Sequence, residues 1–330
     1  MLAAKEKENG RYMKLGKLFG RSRRSSQSPV NLASLPGCAV AVQLAAVSAG
    51  DKPRLSLARY LASNAAPGVR LDQMVREVRL KDADLNILLD GMDYQFLQIE
   101  LPSVPEEELR TAVRWQVKDM LRHPLDATTL DVLPPPDGGV AGGRRLSGYA
   151  VAAADNLIRE RMLQFRAYDS DVAVIDVPEM AQRNLADSLE ESGRATAVLS
   201  VTPSGCLLTA SRAGELYFTR NFELSTQNLA AAPLPRRDQF DRLVLELQRS
   251  LDVLEHQLSF LSVSALWIAP FAHSEELLSL LIETLYVPVK VINLADIFDC
   301  SYCPLPAEPD QQAALVHVLG MALRGVEMAS

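Results

Sequence analysis

The sequence has few of the residues that build a metal centre or a nucleophilic active site. Its 330 residues include only four cysteines and four histidines. Cys300 and Cys303 form a lone C-x-x-C, and a structural zinc site would need two further ligands that no second such pair supplies. We therefore expect structural or incidental thiols, with a redox pair as the alternative. The histidines are scattered, and neither a Ser–His–Asp spacing nor a nucleophile-elbow motif is present, so no triad hydrolase is indicated.

Long apolar runs are also missing. No stretch approaches the roughly 18 uninterrupted apolar residues that predict a transmembrane helix. The N-terminus lacks the apolar core of about 7–15 residues that is typical of a secretory signal. We therefore expect the chain to stay in the cytoplasm.

Charge is unevenly distributed along the chain. Residues 1–24 hold eight of the 34 Lys/Arg and two of the 41 Asp/Glu, so this segment has a charge of +6 and the remainder −13. An acidic body does not suit a nucleic-acid binder, which needs a basic face. We expect residues 1–36 to be a disordered tail that contacts an anionic membrane surface, with a solvated tail as the alternative. The candidate contacts are Lys14, Lys17, Arg21, Arg23 and Arg24.

The globular part alternates strands and helices in two similar halves. Each half opens with adjacent strands and continues with helices and strands, which indicates an α/β chain. We predict a first domain over residues 37–193, an inserted α+β subdomain over about residues 94–154, and a second domain over residues 194–330. The longest helix has apolar residues from Phe240 to Leu261 at alternating spacings of four and three, which favours a core helix over a coiled coil.

One predicted helix, over about residues 104–121, has a tryptophan away from its apolar stripe. Ser103 and Glu106 fit a capping box, and Pro105 suits a first turn. Trp115 lies roughly 200° from the middle of the stripe, at about 100° per residue. The stripe is formed by Leu109, Val113, Val117, Met120 and Leu121. Trp115 is therefore a candidate contact for a partner, and the alternative is packing within the protein itself.

Five segments distributed over nearly the whole globular part carry a family resemblance: ELRTAVRWQVKDMLRHPLDATTLDV (residues 108–132), VAVIDVPEMAQRNLA (172–186), GELYFTRNFEL (214–224), LELQRSLDVLEHQ (245–257) and YVPVKVIN (286–293). Together they resemble the PilM family of actin-like proteins, which serve type IV pilus assembly. The resemblance is closest to the MshI branch, which serves the mannose-sensitive haemagglutinin (MSHA) pilus. The resemblance implies an actin-like (ribonuclease H-like) two-domain fold with an inserted α+β subdomain.

The resemblance also implies three nucleotide loops: one hairpin loop in each half with Asp and Gly, and a Gly-rich adenosine loop. Phosphates need close backbone N–H groups, and Mg²⁺ needs hard oxygen ligands. The sequence departs from this pattern at each place we assign. Those positions are Ala41, Val42 and Gln43 in the first half, Ser200 and Thr202 in the second, and Ala269, Pro270 and Phe271 in the adenosine loop. We therefore expect a pseudo-ATPase that is not an enzyme, without catalytic residues, metal ligands or ATP/Mg²⁺ as a cofactor.

By this resemblance the expected function is a cytoplasmic scaffold, peripheral to the inner membrane, in an MSHA-type pilus assembly platform. It would capture the N-terminal cytoplasmic peptide of a single-span partner (PilN-like or MshJ-like) in a groove beside the inserted subdomain and near the Trp115 segment. Other platform components would be further partners. Two alternatives stay open: an active actin-like ATPase of the same machinery, and an unrelated two-domain α/β enzyme.

Overall fold

The computed structural model describes residues 28–46, 51–80, 83–102, 104–141, 144–145, 147–191, 193–231, 235–324 and 326. The elements of the first half, including those of the inserted segment, are β1 (Val30–Leu35), β2 (Cys38–Leu44), β3 (Leu55–Ala62), α1 (Pro67–Glu77), β4 (Asp84–Leu88), β5 (Tyr94–Ile99), α2 (Glu106–Gln116), β6 (Thr128–Leu133), β7 (Val140–Ala141), β8 (Arg144–Arg145), β9 (Gly148–Ala154), α3 (Asp155–Gln164), β10 (Asp171–Asp176) and α4 (Pro178–Asp187). Those of the second half are β11 (Ala195–Thr202), β12 (Gly205–Arg212), β13 (Glu215–Phe222), α5 (Thr226–Ala231), α6 (Arg236–Gln257), β14 (Val263–Ile268), α7 (Ser274–Thr284), β15 (Val289–Val291), α8 (Leu294–Ile297) and α9 (Pro309–Ala322).

The two halves repeat one sheet topology. The first sheet has the order β10-β4-β1-β2-β3 and the second has the order β13-β12-β11-β14-β15. In each sheet the first three strands of the half pair antiparallel, and the two later strands pair parallel beside the first strand. The predicted two-domain α/β arrangement is therefore present as a duplicated five-stranded unit.

The first strand lies inside the predicted tail, so the boundary at residue 36 is wrong. All six residues of β1 are buried. The polar side chains of β1 form hydrogen bonds with residues that are distant in the sequence. Asn31 donates to the Val42 carbonyl and accepts from Asn86. Ser34 likewise accepts from the Arg70 guanidinium at 2.9 Å. Because Asn31 and Ser34 interrupt the apolar pattern, the sequence did not indicate a strand here. Residues 1–27 of the predicted tail lie outside the described residues.

Each half contributes its last helix to the other half. Helix α9 packs on the first sheet, and α4 packs on the second sheet, so the two helices cross between them. At the crossing Gly320 lies so close to α4 that a Cβ added there would be 2.1 Å from the Ala181 carbonyl oxygen. Only glycine allows this approach of the two helices. Around the crossing, residues from both halves form one shared hydrophobic core.

Residues 94–154 include a separate three-stranded antiparallel sheet of order β5-β9-β6. One face of this sheet packs against α2 through Val113, Val117, Ile99 and neighbouring residues. The opposite face, including Tyr149 and residues that alternate with the first set, packs against the first half. The inserted sheet therefore lies between its own helix and the body of the first half.

Helix α2 is shorter than predicted. It begins at Glu106, directly after Pro105, and no side chain caps it. The capping-box prediction is therefore wrong, because Glu106 is the first helical residue rather than the third. Ser103 lies outside the described residues. The helix ends at Gln116 and a 3-10 turn, Lys118–Met120, follows. This tighter turn rotates Met120 off the predicted stripe, and its side chain is 49% exposed.

Candidate functional site

The first hairpin turn is one strand earlier than the sequence indicated. The turn between β1 and β2 contains Pro36 and Gly37, and Gly37 has a φ of +76° that favours glycine. Ala41, Val42 and Gln43, which we assigned to this loop, lie instead within β2: Ala41 and Val42 pair with both β1 and β3, and Gln43 pairs with β3. The misassignment follows from missing β1, because the loop was then sought after the next strand.

The first turn is occupied by the second half. Gln227 of α5 donates through Nε2 to the Pro36 carbonyl at 2.8 Å. A Cβ added at Gly37 would lie 3.0 Å from the same nitrogen. The amide of Gln227 therefore fills the space next to the turn and bridges the two halves.

The second predicted loop is the hairpin turn between β11 and β12, and the side chain of Thr202 closes it. Thr202 donates through its hydroxyl to the Gly205 carbonyl at 3.2 Å and accepts from the Ser204 backbone N–H at 3.3 Å. The threonine side chain therefore satisfies the turn locally.

Ser200, where an Asp was expected, is fully buried at the helix crossing. Its hydroxyl donates to the Gln182 Oε1 at 2.6 Å, and His317 Nε2 lies 2.9 Å from the hydroxyl and 3.0 Å from the same Oε1. Because an amide oxygen can only accept, Nε2 carries the proton. Burial lowers the pKa of His317 to about 4, so the imidazole is neutral. The network links α4, β11 and α9 structurally rather than presenting a group to a ligand.

The adenosine-loop position is filled by the protein itself. Ala269, Pro270 and Phe271 are all buried after β14. The Ala269 N–H donates to the Leu199 carbonyl at 2.8 Å, and Phe271 packs edge-on against Phe240 with 6.4 Å between ring centroids. Within the described residues no group of three or more Asp, Glu, His or Cys side chains is placed to hold a metal ion. Pro36 and Gly37 of the first turn, Thr202 and Ser204 of the second, and Ala269, Pro270 and Phe271 of the third place carry no carboxylate, the ligand type that Mg²⁺ prefers.

A narrow apolar slot separates the inserted sheet from the first half. We call it the slot; its volume is about 30 Å³. Its apolar walls are Leu133, Val151 and Ala153 from the inserted sheet and Leu89, Ile175 and Met180 from the first half. The slot holds about one water-sized volume, so a peptide side chain enters only if the inserted sheet moves outward.

Two edge strands border the slot. β6 is the edge of the inserted sheet and β10 the edge of the first sheet, so each has one side without a strand partner among the described residues. Three charged residues also line it: Asp131, Asp176 and Arg324. Arg324 contacts Asp176 at 3.3 Å within the lining, and Asp131 contacts Arg110 of α2, outside the lining, at 2.6 Å. Strand edges beside apolar pockets are the geometry that accepts an extended peptide.

A buried carboxyl next to the slot connects the inserted sheet to both halves. Glu179, in the first turn of α4, accepts from the Tyr94 hydroxyl of β5 at 2.7 Å and also from the side chain of Asn221 in β13. Burial raises the pKa of Glu179 to about 7, against the lowering effect of these hydrogen bonds. Sequence reading did not single out this residue, since its partners are distant in the chain.

Trp115 is 64% exposed on the outer face of α2. It is on the far side of the inserted sheet from the slot, so it does not border the slot. Its role as a partner contact stays a prediction. The tail residues Lys14, Lys17, Arg21, Arg23 and Arg24 lie outside the described residues. None of the helices in the described part of the chain combines the length and the apolar composition needed to cross a membrane.

Comparison with known proteins identifies the fold. No protein-family model and no curated protein matches the chain. A chain of the PilM–PilN type IV pilus biogenesis complex matches with a TM-score of 0.72 and 21% identity over 91% of this chain and 98% of that one. A Bacteroides thetaiotaomicron protein with an actin-like ATPase fold and unknown function matches with a TM-score of 0.52 and 10% identity, over 90% and 99%. The predicted actin-like fold is therefore confirmed.

Proposed function

We propose that this protein is a cytoplasmic scaffold of a type IV, MSHA-type pilus assembly platform. It captures the N-terminal cytoplasmic peptide of a single-span inner-membrane partner, PilN-like or MshJ-like, in the slot. The observation that carries the proposal is the slot itself: an apolar gap bordered by two strand edges, in a fold that matches a chain of the PilM–PilN complex over 91% of this protein. An extended peptide gains main-chain hydrogen bonds from an edge and side-chain specificity from the apolar gap.

Binding is tested by titrating a fluorescent peptide of the partner's N-terminal residues into the full chain. Ala153→Met adds bulk to the slot wall, and we expect it to weaken binding by at least about tenfold. Trp115→Ala, on the opposite face of the inserted sheet, is the matched control and should change the affinity by less than about twofold. Thermal melts of both variants establish folding. Equal affinity of the folded Ala153→Met variant and the wild type would rule out the slot.

The scaffold works without a nucleotide in this proposal. Support comes from Gln227 next to the first turn, the hydroxyl-closed second turn, and Phe271 in the third loop. The alternative, an active ATPase of the same machinery, predicts micromolar binding of Mg-ATP. Calorimetric titration of Mg-ATP into the full chain distinguishes the two, because the scaffold proposal predicts no heat of binding in that range.

The basic tail attaches the scaffold to the inner membrane in the same proposal. Each cation near an anionic surface contributes about 1 kcal/mol. Removal of residues 1–27 leaves β1 intact, so a co-sedimentation assay with anionic vesicles isolates the tail. Equal pelleting of the full and shortened chains would contradict this part of the proposal.

Trp115 is proposed as a second contact for the same partner, outside the slot. Its ring is large, exposed and amphipathic, which are properties of interface anchors. Capture of the full-length partner in detergent, compared between wild type and Trp115→Ala, tests this contact. We expect Trp115→Ala to weaken binding of the full-length partner but not of the peptide. Unchanged binding of both would exclude Trp115 as a contact.

A further inference from the structure

A larger groove lies on the second half and shares no lining residue with the slot. It runs between the end of β13, the segment that follows it, and α6, and has a volume of about 670 Å³. This volume is within the usual range of ligand sites, about 300–1,000 Å³. Nothing in the proposed capture of the partner peptide uses this surface, since the slot is formed by the inserted sheet and the first half.

Three arginines line the groove. Glu246 accepts from Arg220 at 2.6 Å and from Arg249 at 2.7 Å, so one carboxylate holds two guanidinium groups side by side. Arg242 also lines the groove, and its side chain makes no hydrogen bond or ion pair within the described residues. Fixed guanidinium groups bind carboxylates better than mobile ones, because less side-chain freedom is lost on binding.

Apolar surface lies beside these cations. Leu245 is 54% exposed at the groove, and the Arg220 guanidinium lies 5.7 Å from the centroid of the Phe222 ring. Leu224 and Leu243 are buried beneath. A small anion would use the arginines but not this apolar part, whereas a peptide with an apolar side chain next to carboxylates would use both.

The charge of the groove is opposite to that of the molecule around it. Outside residues 1–24 the chain has a charge of −13, yet the groove has three arginines against Glu223 and Glu246. A local cationic site on an acidic body directs anionic partners to one place and repels them elsewhere. We propose that this groove binds an acidic peptide segment of a second partner protein, with an apolar side chain next to its carboxylates. The scaffold then has separate sites on its two halves.

The test is a peptide-display selection on the full chain, counter-selected against the double variant Arg242→Glu/Arg249→Glu. Both arginines are exposed, so the variant should keep the wild-type melting curve, and it retains the slot. Peptides that survive the counter-selection are specific for the groove. Binding of these peptides is then measured on the wild type, on the double variant and on Arg237→Glu, an exposed residue of the same helix outside the groove.

We expect the surviving peptides to be rich in Asp and Glu interspersed with Leu, Ile or Phe. Their affinity should fall at least about tenfold on the double variant and stay unchanged on Arg237→Glu. Leu245→Ala, which keeps every charge, should weaken the same peptides by a smaller factor. A surviving pool without acidic enrichment would overturn the proposal. So would a selection from which no peptide survives while the double variant loses binding to anionic vesicles, because the groove would then contact lipid.

Discussion

The two halves share one five-stranded sheet but differ in what is attached to it. The first half carries the inserted sheet between β4 and β10, which creates the slot. The second half has only α7 between its corresponding strands, and instead has the long helix α6 before β14, which forms one wall of the groove. The common framework fixes the fold, while binding surfaces arise where the halves differ. At the corresponding hairpins, the turn of the first half contacts Gln227 of the second half, and the turn of the second half is closed by its own Thr202.

The feature common to both halves, the exchange of their last helices, should be the most sensitive to mutation. Gly320→Ala places a Cβ against the Ala181 carbonyl, which neither backbone can avoid without moving. We expect the free energy of unfolding to fall by about 3 kcal/mol. Urea or thermal unfolding measures the loss. Gly91→Ala is the control, since a Cβ there has nothing within 4 Å; equal losses in the two variants would show that the crossing is not tightly packed.

The connection between the inserted sheet and both halves should depend on pH through Glu179. Its folded pKa of about 7 is above the ordinary carboxyl value, so the folded state binds more protons than the unfolded state between about pH 4.5 and 7. Stability contributed by this group is present below that range and is lost as the pH rises through it. Glu179→Gln keeps the hydrogen-bond acceptor but does not titrate.

The measurement for Glu179 is the thermal midpoint of wild type and Glu179→Gln from pH 5 to pH 8. We expect the wild type to lose stability relative to the variant as the pH rises. His317, whose pKa is lowered by burial, contributes the opposite slope below pH 6.5 and is common to both proteins. Parallel pH profiles would show that the pKa of Glu179 is not raised in the folded protein.

The smallest effect is expected at the outer face of the inserted sheet. Trp115→Ala removes a side chain that is already 64% exposed, so the free energy of unfolding should change by less than about 0.5 kcal/mol. Chemical unfolding measures the change. A loss of 2 kcal/mol or more, on the order expected for a buried aromatic, would mean that the ring packs within the protein.

The sequence predicted some parts of this architecture much better than others. The alternation of strands and helices and the family resemblance led to the actin-like fold, and helical periodicity placed Trp115 on the outer face of α2. Strand β1 was missed because Asn31 and Ser34 interrupt its apolar pattern, and their partners Asn86 and Arg70 are 55 and 36 residues away. The misplaced first loop at Ala41–Gln43 followed from that omission.

The slot and the groove could not be predicted, because each is formed by side chains far apart in the sequence. Met180 of α4 and Ala153 of β9 line the slot together, and Arg220 and Arg249 meet on Glu246 from a strand and a helix. Local patterns describe which face of an element is buried, but not which other element covers it or leaves a gap.

The central claim is that the slot captures a partner peptide without a nucleotide. The direct measurement is fluorescence anisotropy of the partner's N-terminal peptide against the full chain, with and without millimolar Mg-ATP. We predict the same affinity in both conditions. An affinity that appears or changes severalfold only when Mg-ATP is present would contradict the account and favour the active ATPase.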